Sequence, residues 1–275
     1  MKTMMLIIII TAAALGAAWP QSASLDLRLN DLKAKQPPEE TIFDSAPCQR
    51  AKEAPNHTID HYIPIDPKTL LPDLNSLMEK SDDVVLALFR DHAELVSPSG
   101  ENPVMYVEVR VIHSLKGSHR AGDILTYGWP GGAIQCDHSA VWVVPGGDVS
   151  GRNIGHLMDQ AGVLFLRQSK DQEAQLVEGL RPAAGEGTQG IFPIHILDPT
   201  GLREICPDSI DEKLWENKNV QPCASYLETN RSPIVVPYVH DPLHNKYDGM
   251  PASDFLRGVR SVAGGQGNAL KSSPR

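Results

Sequence analysis

Aromatic residues are scarce, at 5% of the 275 residues, so any sizeable core has to be assembled from Val, Ile and Leu. Positive charge is also in deficit: 25 Lys and Arg stand against 34 Asp and Glu, a formal charge of -9. That balance argues against nucleic-acid binding, which requires clustered cations to displace phosphate counterions. It equally argues against an electrostatic hold on anionic membranes. No apolar run beyond the first twenty residues approaches the ~18 to 20 residues of a membrane span, so no membrane insertion is expected after the start of the chain. There is no CxxC pair, which removes the usual redox and zinc-knuckle motifs. There is no GxSxG elbow either, and Ser150-Gly151 has no strand-turn-helix context for a hydrolase nucleophile.

The start of the chain is more informative. Lys2, an apolar run from Met4 to Leu15, and then Gly16, Ala17 and Ala18 form the three parts of a secretory signal peptide, with cleavage expected after Ala18 and a cut near Ala23 less favoured. Loss of Lys2 leaves 24 basic against 34 acidic residues, a charge of -10. A periplasmic or secreted protein follows. In such a compartment Cys48, Cys136, Cys206 and Cys223 read as two disulfides, although four cysteines allow three pairings. The favoured pairing is Cys206 with Cys223, closing a loop of about 17 residues for ~3 kcal/mol, and by elimination Cys48 with Cys136.

Six segments are expected. Residues 1–18 are the signal, and 19–67 form an extended, irregular arm punctuated by Pro37, Pro38, Pro47, Pro55, Pro64 and Pro67. Residues 68–200 carry a β domain, 201–249 a disulfide-stapled irregular extension, 250–264 a C-terminal helix and 265–275 a disordered tail. Within the β domain, Leu70, Leu71, Leu74, Leu77 and Met78 recur at helical spacing behind Asp73. Val84 to Phe89 is a short apolar strand. Met105, Val107, Val109 and Val111 alternate with Tyr106, Glu108 and Arg110, predicting an antiparallel hairpin with one wet face. Further strands are expected at Asp123 to Trp129, Ala140 to Val144, Gly162 to Arg167, Gln175 to Leu180 and Gly190 to Ile196. Five or six short strands closed by glycine turns suit a small closed antiparallel OB-like barrel better than an open sheet with unprotected edges. Ser232 to Pro237 reads as an extended piece. The terminal helix is expected to start with Ser253 as N-cap, to bury Phe255, Leu256, Val259 and Val262, and to stop at Gly264-Gly265.

Ser81-Asp82-Asp83-Val84-Val85 after a helix, Val107 to Ile112 running into Leu115-Lys116-Gly117, then Gly122-Asp123-Ile124-Leu125, Pro130-Gly131-Gly132 and Val163-Leu164-Phe165-Leu166 make an ordered series. This series resembles uncharacterised exported bacterial proteins whose barrel is similar to the OB-type fold of tissue inhibitors of metalloproteinases and netrin-like domains. The resemblance covers Leu70 to about Ile196, extends to the final helix, and implies the OB-type fold there. Those inhibitors chelate a protease zinc through a Cys at the mature N-terminus, which no expected cleavage exposes here, so their mechanism is not carried over.

Candidate sites are few. His57 and His61 stand four apart around Asp60, and His240 and His244 repeat the spacing around Asp241, as metal pairs on one helix face do. Pro55 and Pro64 bracket the first pair and Pro242 interrupts the second, so exposed loop histidines are the plainer reading. Cys136-Asp137-His138 has the residue types of a nucleophile and its base, but an oxidised Cys136 would be inert. Gly185 to Gly190 and Gly146-Gly147 read as turns, since no Lys-Ser/Thr and helix follow. Tyr127, Trp129 and Trp142 form a candidate ligand face. Asn56-His57-Thr58 is a glycosylation sequon of use only in a eukaryotic host, whereas Asn230-Arg231-Ser232 is spoiled by Pro233. The expected function is a non-enzymatic binding module without cofactor, its partner an extracytoplasmic protein or glycan. The competing expectation is a secreted metal-dependent hydrolase using His57, His61, His240 and His244.

Overall fold

A computed structural model describes residues 28–63, 67–145, 160–183, 189–196, 220–236 and 241–265. The expected signal peptide, the segment 201–219 and the tail 266–275 lie outside the described residues. The protein is mainly β. Among the described residues its principal sheet has seven strands in the order β10-β9-β7-β2-β3-β4-β8. These are β2 (Asp83–Val96), β3 (Pro103–Lys116), β4 (Ile124–Pro130), β7 (Ala161–Gln168), β8 (Leu180–Pro182), β9 (Ile191–His195) and β10 (Ile234–Val235). The short β8 pairs on both sides, parallel to β4 at Leu180 and Tyr127 and antiparallel to β7 from Leu180 to Pro182.

The uninterrupted apolar runs of β2 and β7 follow from burial on both faces. Val85, Ala87, Phe89, Leu164 and Leu166 join Met105, Val107, Val109, Val111, Leu125 and Tyr127 in an inner core. Val84, Leu86, Leu88, Val163 and Phe165 face the other way, against a helical layer. That layer comprises α4 (Leu74–Lys80), α6 (Val220–Thr229) and α7 (Ala252–Ala263). Phe255, Leu256 and Val259 of α7 are buried there, each side chain contributing about 1.5–3 kcal/mol of transfer free energy. Gly162 admits this density, because a Cβ there would come 2.9 Å from the Phe89 ring. Register shifts at three points along β2 let its fourteen residues bend.

Several expectations need correction. The arm is not merely extended: α1 (Leu29–Ala34), α2 (Glu39–Phe43) and α3 (Ala46–Glu53) occupy it. Helix α1 buries Leu29 and Leu32 against Val104, Tyr106 and Val177. Gln36 clamps the end of β2, accepting from Val96 N at 2.7 Å and donating to Val96 O at 3.4 Å. The outer side of β3 is therefore largely covered, with Tyr106 and Arg110 buried and Glu108 half-buried. A second sheet, order β1-β6-β5, joins β1 (Thr58–Ile63), β5 (Gly132–Cys136) and β6 (Ser139–Pro145). It packs with α3 around Cys48, Ala51, Ile134, Cys136 and Val141. The expected strand over Gln175 to Leu180 is turn and irregular chain as far as Gly179, following a helical turn, α5 (Asp171–Ala174), and β8 begins only at Leu180. The residue before the first turn of α7 is Pro251, and Ser253 is buried inside the helix rather than capping it.

Candidate functional site

Of the four candidate histidines, His57 and His244 are fully described, and they have different surroundings. His57 is exposed between α3 and β1, its backbone in the left-handed region at φ 50° and its Nδ1 3.0 Å from Lys52 O. His61 lies on β1 opposite Val143, its side chain outside the described residues, as is all of His240. His244 is neither an exposed loop residue nor an available ligand. It is fully buried, with Nδ1 2.6 Å from Asp241 Oδ2, Nε2 3.2 Å from Ile191 O, and its ring centroid 4.4 Å from that of Phe192. Both nitrogens are engaged, so no lone pair is left for a metal. Burial alone would push the Asp241 carboxyl up. The His244 imidazole, with the backbone N–H groups of His244 and Leu243, outweighs that and holds it below the ordinary carboxylate range. Among the described residues no three His, Cys, Asp or Glu side chains converge as a metal site would require.

The aromatic face is also corrected. Tyr127 and Trp129 are buried, stacked at 5.8 Å between centroids. Residues two apart on a strand share a face, and on β4 that face is the inner core containing Leu125. The Trp142 side chain lies outside the described residues. Cys48 and Cys136 form the expected disulfide, with Cα atoms 5.3 Å apart, so Cys136 is no nucleophile beside His138. Cys223 is also disulfide-bonded; its expected partner Cys206 lies outside the described residues.

A different place gathers charge. A cavity of about 640 Å³ is lined by Lys68, Thr69, Leu71, Lys80, Asp82, Arg167, Gln168, Lys170 and Ala183. Four cations and one carboxylate meet there, in a chain of net charge -9. Each wall has a structural cause. Lys68 and Thr69 sit on a single 3-10 turn, Pro67–Thr69. The chain just after that turn is anchored by buried Gln189, which accepts from Leu71 N at 2.8 Å and donates to Leu71 O at 3.1 Å. Lys80 is the last residue of α4, the end of a helix that favours a cation. Asp82 N donates to Leu166 O and Asp82 Oδ2 accepts from Gln168 N, both at 2.8 Å, tying the start of β2 to the end of β7.

Arg167 is held rather than loose. Its Nη2 lies 2.7 Å from Glu173 Oε1, an oxygen also 3.2 Å from Arg181 Nη1, while Glu173 Oε2 accepts from Lys170 N at 3.0 Å. Burial would raise the Glu173 carboxyl, but the Lys170 N–H and the two guanidinium groups outweigh it and hold it low. Lys170 and Arg167 are thus fixed to one another through a single carboxylate. The arrangement offers dispersed positive charge around a mixed polar and apolar surface. Sequence reasoning missed it because the cations come from separate segments that only the β2–β7 pairing brings together; the polar turn Ser169-Lys170-Asp171-Gln172 was the one local signal.

No family model, curated protein or solved structure matches this chain.

Proposed function

We propose that this protein is an exported, non-enzymatic binding module whose ligand is an anion taken up at the basic cleft. The scaffold in this reading is a closed OB-like barrel akin to the tissue inhibitors of metalloproteinases and netrin-like domains. Its support is the circuit of pairings from β2 to β3, β4, β8, β7 and back to β2, in which β4 and β8 meet at the single pair Tyr127 and Leu180. The inhibitors' metal-chelating N-terminal Cys has no counterpart here, and the ligand is not assigned by that likeness.

The observation that carries the reading is the gathering of Lys68, Lys80, Arg167 and Lys170 around one cavity in an acidic molecule. Lys80 and Lys170 bring two exposed ammonium groups to one cavity wall, and an anionic ligand offsets their mutual repulsion. The test is retention on a sulfated-dextran column at low salt. The wild-type protein is expected to bind despite its net negative charge and to elute as salt screens the contact. The double variant Lys80→Glu/Lys170→Glu, altered at two exposed positions, is expected in the flow-through with its thermal midpoint lowered by no more than about 4 °C, the cost of a reversed charge at the end of α4. Wild-type protein in the flow-through, or a variant retained as strongly, overturns the proposal.

A further inference from the structure

Resting on the anion-binding reading above, we infer that the cleft selects a hydroxyl-bearing polyanion, an acidic oligosaccharide whose anionic groups are spaced along sugar rings. Three features of the cleft point past simple charge attraction.

First, the cations suit spaced charges rather than one compact anion. A planar guanidinium fork is the group that clasps a single phosphate or carboxylate with two parallel bonds. One arm of the Arg167 fork, Nη2, is already engaged by Glu173 Oε1 at 2.7 Å. Lys80 and Lys170 are exposed on two different parts of the wall, the end of α4 and the turn before α5. Lysines are point charges on flexible stems, so they can follow anions distributed along a chain.

Second, Asp82 stands exposed among the cations. A carboxylate in the middle of a site for dense phosphate would repel the ligand. For a sugar it is an asset, because an ionised carboxylate is a strong acceptor for hydroxyl groups. Thr69 and Gln168 add neutral polar side chains to the same surface.

Third, Leu71 and Ala183 contribute an apolar portion of the wall. A sugar ring presents C–H groups that can cover such a surface, which a bare polyphosphate does not. The volume of about 640 Å³ falls within the ~300–1,000 Å³ common for ligand clefts.

The test is equilibrium binding of the exported chain to three probes: an oligogalacturonate, a neutral galactan oligomer of the same length, and a polyphosphate of the same charge. Oligogalacturonate is expected to bind tightest and the neutral oligomer not to bind. Lys80→Glu/Lys170→Glu should weaken oligogalacturonate by about tenfold or more, with Lys80→Gln/Lys170→Gln as a milder second variant. The deciding variant is Asp82→Asn, whose remaining carbonyl oxygen can still accept from Gln168 N. It raises the cleft's positive charge, yet should weaken the oligogalacturonate about fivefold through loss of a charged acceptor, while tightening polyphosphate. Polyphosphate binding best, with both reversals lowering it, overturns the acidic-sugar inference and leaves the anion-binding reading standing. Asp82→Asn tightening both probes also overturns the inference alone. Affinity for no anion, or affinity indifferent to Lys80 and Lys170, overturns both.

Discussion

At position 244 an imidazole closes a circuit that connects two parts of the chain far apart in sequence. Asp241 accepts from the backbone N–H groups of Leu243 and His244 at 2.7 and 3.0 Å and from the His244 ring. The ring in turn reaches Ile191 O on β9. His244→Ala would leave Asp241 Oδ2 and Ile191 O without their ring partner inside the core, and breaking a buried pair from one side costs ~3–5 kcal/mol. We expect a loss of about 3 kcal/mol in denaturant unfolding, or a thermal midpoint lower by roughly 6–12 °C. Asp241 also predicts a pH dependence. Its folded-state pKa lies below the ordinary value, and the unfolded chain titrates near ~3.9. The stabilisation is therefore complete above the unfolded pKa and is lost as pH falls through the folded one. Unfolding of wild type and Asp241→Asn followed between about pH 6 and about pH 3 should show the stability gap narrowing toward the acid end; a gap of constant width would contradict the assignment.

Among the elements, α4 is the one whose sequence signals and geometry agree most fully. Asp73 at its N-cap accepts from Ser76 N at 2.8 Å and from Ser76 Oγ at 2.9 Å. Those bonds hold its carboxyl below the usual range. At the other end Lys116 Nζ donates to Met78 O and Ser81 O at 2.7 and 2.6 Å, occupying carbonyls the helix leaves open. Asp73→Ala should cost about 1 kcal/mol, read as a shift in the urea midpoint at unchanged slope; no shift would show that Lys116 and the packing of Leu74 and Leu77 suffice. Strands β2, β3, β4, β7 and β9 were legible because their apolar residues recur at strand spacing. The arm was not, and the prolines explain why. Pro38 immediately precedes α2 and Pro47 stands in the first turn of α3, positions where a missing N–H costs nothing. Proline density read as extended chain was in fact helix-start chemistry. Strand β1 was hidden differently: Thr58-Ile59-Asp60-His61 lacks an apolar run, and its pairing partner β6 lies some eighty residues away. Tyr106 looked solvent-facing for a similar reason, since what covers it is α1 and Val177, and its hydroxyl accepts from Glu178 N at 3.1 Å.

Over the whole molecule, the two large cores cannot come apart independently, because β2 and β7 contribute one side of their residues to each. The helical layer and the inner face of the main sheet should thus unfold together. The unit built from α3 and the β1-β6-β5 sheet has its own small core and is tied across 88 residues by Cys48–Cys136. Closing a loop of that length removes chain entropy worth roughly 4–5 kcal/mol on the polymer model, concentrated in a unit with little apolar surface to replace it. Cys48→Ser/Cys136→Ser should therefore release the arm before the main sheet. In limited proteolysis the first cuts are expected between about residues 35 and 60, while amide exchange in β2, β3 and β7 stays slow. The basic cleft takes its residues from the Pro67–Thr69 turn, α4, β7 and the residues next to β2, α5 and β8, none of them within α3 or the β1-β6-β5 sheet, so the doubly substituted protein should keep its retention on sulfated dextran. Loss of that retention together with the arm would mean that the cleft depends on the second sheet, and that the two units are a single cooperative structure.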